Sequence, residues 1–149
     1  MLRAPRWAAL VLGHLADPRR PDFHLALRPA EVLGLTPTAA LLARLETGPS
    51  LLEPTWAHAL RHCGRQHVAR ILDLAERRLA ATSGPEHDHA LLLFAHLLRG
   101  HPEHGWPLLR YALTSGAPET RRTASSTLAA WPVDALTREA AAHLRRTTG

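Results

Sequence analysis

Leu79-Ala-Ala-Thr-Ser-Gly-Pro-Glu86 returns further along the chain as Tyr111-Ala-Leu-Thr-Ser-Gly-Ala-Pro-Glu119. The two Thr-Ser-Gly cores lie about 32 residues apart, the size of a helical hairpin. Both fall on a longer register of glycines, Gly48, Gly64, Gly84, Gly100 and Gly116. Proline follows at Pro49, Pro85, Pro102 and Pro118, at once or after one residue. Glycine suits the position just past a helix C-terminus, and proline suits the first turn of the next helix. Each interval therefore reads as one short helix and one tight turn.

The segments between these glycines carry helical periodicity. In Arg65 to Ala81, residues Val68, Ile71, Leu72, Ala75 and Leu79 share one face, with Asp73 and Arg77 on another. The next helix, Glu86 to Arg99, has Leu91, Phe94, Ala95 and Leu98 as a stripe and Leu92, Leu93 and Leu97 over most of the rest. A helix so widely apolar belongs at the centre of a core. Further helices are predicted over Pro107 to Ser115, Pro118 to Trp131, and Val133 to about Arg146, the last with Val133, Leu136, Ala140 and Leu144 at helical spacing. The first 47 residues are less regular. Arg3 to Ala16 is a helix, Asp17 to Asp22 a turn, Phe23 to Leu27 extended or irregular, and Pro29 to Leu33 one helical turn. Thr36 and Pro37 read as N-cap and first-turn proline of a helix ending near Gly48. Only five residues are valine or isoleucine, which argues against strands.

The chain has 149 residues, enough for one domain with a core. It has no lysine and no asparagine, and all 18 basic residues are arginine. The favoured residues have GC-rich codons, so a high-GC bacterial genome accounts for the bias and discounts the net charge of +5. The arginines are scattered among acids, with no run of the length that marks a nucleic-acid tail. The 11 histidines fill polar positions that other residues usually take. The lone Cys63 excludes an internal disulfide. The apolar stretch Ala90 to Ala95 is far too short to span a membrane. Residues 3–14 lack the cleavage site of a signal peptide, and the expected location is the cytoplasm.

Pro118-Glu-Thr-Arg-Arg-Thr-Ala-Ser-Ser-Thr-Leu128 resembles the second-helix pattern of HEAT-like repeats, P-x-V-R-x-x-A-x-x-A-L. Pro118, Arg121, Ala124 and Leu128 match, while Thr120 and Thr127 stand where valine and alanine are usual. The resemblance is clearest over residues 106–131. It implies an all-α fold, a short right-handed α-solenoid of antiparallel helix pairs: an irregular region over 1–47, then about three hairpins over 48–149. It also implies a role in binding other macromolecules and no particular chemistry.

Several residue sets have the composition of a site. His58 and His62 are i, i+4, a spacing that can place two imidazoles on one metal, with Cys63 and His67 nearby. No catalytic glutamate lies between them, and they read as surface histidines. His87-Asp88, with His62 and Asp134, is similar to the metal-ligand order of HD-type phosphohydrolases, but the dipeptide opens a helix, where Asp88 suits the dipole. His101 and His104 read as a turn. Cys63 has no identifiable base. Trp106 and Trp131 read as core. No catalytic, cofactor or metal residue is assigned, and no cofactor is expected. The expected function is a non-enzymatic protein–protein interaction module with self-association open to it. The alternatives are a nucleic-acid-binding repeat protein and an HD-like metal-dependent hydrolase.

Overall fold

The structure, a computed structural model, describes residues 4–148. Among these the regular structure is entirely helical. The chain divides into two compact units, with the boundary after Ala75.

The first unit contains α1 (Ala4–Leu15), α2 (Leu27–Val32), α3 (Thr38–Glu46), α4 (Thr55–His62) and most of α5 (Arg65–Ala80). Helix α1 and α2 both contact a 3-10 turn over Phe23–Ala26, and α3 contacts α4. Phe23 to Leu27, expected to be extended or irregular, is therefore helical, with Phe23, Ala26 and Leu27 buried. The helix after Pro37 opens at Thr38 without a side-chain cap, so Thr36 is not its N-cap. Gly48 ends α3 with φ 73° and donates its N–H to the Leu45 carbonyl at 3.1 Å. Gly64, at φ 91°, follows α4 in the same left-handed conformation. Pro49, expected in a first turn, instead lies in the connection before α4, which starts at Thr55.

Arg44 is the charged group inside this unit. It donates to both carboxylate oxygens of Glu53 and, from Nη1, to the Pro18 carbonyl at 3.0 Å. Its guanidinium also lies 5.5 Å from the Phe23 ring centre. A buried arginine held on three sides fixes the connection around Pro18 to α3.

The face predicted for α5 is the observed one: Val68, Ile71, Leu72, Ala75 and Leu79 are all buried. The second unit holds α6 (Gly84–Leu97), α7 (Trp106–Leu113), α8 (Pro118–Ala130) and α9 (Arg138–Thr148). Helix α8 contacts α6, α7 and α9, and α6 contacts α7. The stripe Leu91, Phe94, Ala95 and Leu98 is buried, while Leu92, Leu93 and Leu97 are half-buried.

Two buried side chains tie α8 to the end of α6. Thr127 Oγ1 donates to the Ala95 carbonyl at 2.6 Å, and Trp131 Nε1 to the Leu98 carbonyl at 3.0 Å. The Leu98 carbonyl, in the 3-10 turn after α6, also accepts from the His101 N–H at 2.9 Å. The Ala95 carbonyl lies in the last turn of α6, where carbonyls lack intrahelical donors, so α8 supplies one from outside. This is why threonine, not alanine, stands at 127. Helix α9 starts later than its apolar pattern suggests. Val133–Ala135 is a 3-10 turn with Val133 exposed, and Leu136 is extended. Thr137 Oγ1 accepts from the Ala140 N–H at 3.1 Å, so a side-chain cap sets the start.

Candidate functional site

Helix α4 turns a continuous set of residues inward: Thr55, Trp56, His58, Ala59 and Leu60 are buried, with Cys63 just beyond. His58 thus lies on the packed side and is 4% exposed. The expectation that it is a surface histidine is wrong, because its neighbours on the helix anchor that face. His62, one turn on, is half-buried, and the two rings approach to 4.5 Å between centres at 49°.

Glu31 of α2 completes a group. One ligand atom from each of Glu31, His58 and His62 lies within 4.8 Å of the others. The His62 Nε2 is buried, and no group among the described residues hydrogen-bonds to it. Burial holds the His58 imidazole below its ordinary pKa, helped by His62 and Arg61 and opposed by Glu31. At neutral pH that ring keeps a free lone pair, since the protonated form is the disfavoured one. A cavity of about 270 Å³ adjoins the group, lined by His24, Leu27, Arg28, Glu31, His58 and Arg61. Arg28 lies 4.0 Å from the Glu31 carboxylate.

The other residues singled out in the sequence do not gather in this way. Cys63 is buried, and burial pushes its thiol up, which leaves a poor nucleophile. His67 is half-buried on α5. In the second unit, His87 Nδ1 lies 3.3 Å from Thr82 Oγ1 in the first turns of α6. Asp88 is exposed beside it, and Asp134 is exposed in the 3-10 turn before α9. These three do not form a three-ligand group among the described residues. His101 is half-buried and His104 exposed in the turn before α7. A second hollow of about 280 Å³ is bordered by His96, Arg99, Arg122, Thr123 and Ser126.

Three tryptophans are core: Trp56, Trp106 and Trp131. Trp106 Nε1 also donates to Glu139 at 2.8 Å, fixing α7 to α9. Trp7 is the exception, at 55% exposed. Glu31 was not singled out from the sequence. It shares no motif with His58, and no spacing rule links a residue on one helix to a pair on another. Compared with protein-family models, with curated proteins and with solved structures, the chain matches none.

Proposed function

We propose that the chain is a non-enzymatic protein-interaction module built on HEAT-like helical repeats, arranged as a short right-handed α-solenoid of antiparallel helix pairs. The repeat assignment is supported by the stretch that carries the resemblance. Pro118 occupies the first turn of α8, Ala124 and Leu128 are buried, and Arg121 Nη1 reaches back to the Ser115 carbonyl at 2.6 Å.

The observation that carries the interaction reading is the outward face of α1. Trp7 and Leu10 are i, i+3 on this helix and are 55% and 60% exposed, at one edge of an apolar arc whose other members, Val11 and Leu15, are buried. An apolar arc wider than the surface it packs against leaves its edge uncovered. Leu12, Leu25, Val32 and Leu52, also exposed, belong to the same unit. Half-exposed tryptophan beside leucine is the chemistry of an interface anchor. Arg6 on α1 and Arg19 and Arg20 after it are exposed. The fitting partner is therefore a protein surface with an apolar centre and acidic rim.

A photo-crosslinking side chain placed at Leu10, with one at exposed Arg122 as control, tests this in the source cells. One discrete adduct from position 10 and none from 122 is expected. An adduct of twice the chain's mass would make the partner a second copy. The same diffuse adducts from both positions would defeat the proposal.

A further inference from the structure

We infer that Glu31, His58 and His62 form a binding site for one divalent first-row transition-metal ion, zinc being the best fit. This is independent of the interaction face on α1. Two imidazoles and one carboxylate suit zinc and its neighbours. The set is too poor in oxygen for magnesium or calcium, which take mainly oxygen ligands. It lacks the thiolate that would favour Cu(I), because Cys63 is not a member.

The geometry needs little change. Zinc bonds of about 2.0–2.2 Å in a tetrahedron set ligand atoms about 3.4 Å apart. The three atoms here already lie within 4.8 Å of one another. His58 is locked by burial, and His62 follows it by one helical turn. Glu31, with its side chain 36% exposed and only a 4.0 Å contact to Arg28, has the freedom to close the gap. The buried, unpartnered Nε2 of His62 is the second indication, since a buried ring nitrogen without a hydrogen-bond partner needs some other one.

Three protein ligands leave a fourth position open. The adjoining cavity is flanked by Arg28 and Arg61, so water or a small anion would take that position. The ion would also join α2 to α4. Helix α2 has only 6 residues and is held by packing through Leu27 and Ala30, so the ion would add a second fastening.

The test uses the full chain without an affinity tag, because 11 native histidines already give a background of weak sites. Zn²⁺ is titrated calorimetrically against a competing chelator, and Co²⁺ is substituted so that its visible absorption reports four-coordination. One saturating equivalent is expected. Glu31→Ala and His62→Ala should each weaken it by at least about tenfold, the lower end of what outer-shell partners alone contribute. His101→Ala and His104→Ala should leave it unchanged. Glu31 is exposed, so its variant retains the fold, which circular dichroism verifies. Absence of a saturable equivalent overturns the assignment. So does binding that survives both ligand substitutions, which would put the ion on other histidines.

Discussion

Replacing Thr127 by valine removes one oxygen and little else, and it tests how α8 is fastened to α6. The Thr127 hydroxyl and the Ala95 carbonyl it meets at 2.6 Å are both buried. With valine, the carbonyl keeps its position in the last turn of α6 but loses its outside donor. A buried group left without its partner costs about 1–3 kcal/mol. Serine makes the opposite change, keeping the hydroxyl and losing one buried methyl group, at about 1 kcal/mol. Alanine does both and should cost about 2–4 kcal/mol. The expected order of stability is wild type, Thr127→Ser, Thr127→Val, Thr127→Ala. Urea unfolding followed by helical circular dichroism measures it, with equal m-values required so that midpoints can be compared. If valine proves as stable as wild type while serine does not, the site is a packing position. The capping of α6 by α8 would then be refuted.

Glu53→Ala strands the buried Arg44 and should destabilise by about 3–5 kcal/mol at neutral pH. Burial pushes the Glu53 carboxyl up, but the hydrogen bonds from Arg44 with the charges of Arg44 and His24 outweigh it and hold the folded value down. The stabilisation is therefore present above the ordinary value of 4.5 and lost as pH falls through the depressed folded value. A pH series of urea midpoints should show this acid limb flattened in the variant. Ala124→Leu should cost about 1–3 kcal/mol by overpacking, because Ala124 is fully buried. Exposed Arg122→Ala should cost no more than about 0.5 kcal/mol, and the reverse ranking in the same assay would shift the repeat register. Thr137→Ala should cost about 1 kcal/mol and fray the start of α9, read by hydrogen exchange at the Ala140 amide. Labelled duplex and single-stranded oligonucleotides should not bind at physiological salt. Submicromolar affinity at low salt with a log–log salt slope near about −5 would favour the nucleic-acid alternative.

The residues that were easy to read are those whose partners lie on their own helix. All five apolar positions chosen on α5 are buried, because a regular stripe leaves only one face for the core. Ala124 and Leu128 follow the same logic on α8. Local sequence misleads where two signals compete or no period is present. Val133 and Leu136 continue the apolar spacing of α9, yet the hydroxyl of Thr137 caps the helix and leaves Val133 in water. Phe23 to Leu27 has no clear period, and its helical form follows from burying Phe23 and Leu27 in a short 3-10 and α segment. The His58–His62 pair was legible from its spacing. Its burial and its third member were not, since these depend on how α2 and α4 come together rather than on any run of sequence.

The uneven placement of the tryptophans gives the molecule an optical asymmetry. Trp56, Trp106 and Trp131 are sealed from solvent, whereas Trp7 stands half in water. Indole emission shifts to the red in a polar, mobile surrounding, so one ring contributes the long-wavelength edge and three the blue. A dissolved quencher such as iodide would reach the first and spare the others. Contact at α1 would therefore dim the quenchable fraction while the blue component stayed constant. Loss of the core would move the three buried rings to the red and open them to the quencher. Native fluorescence can thus separate an encounter at the surface from a failure of the interior, without attaching any dye.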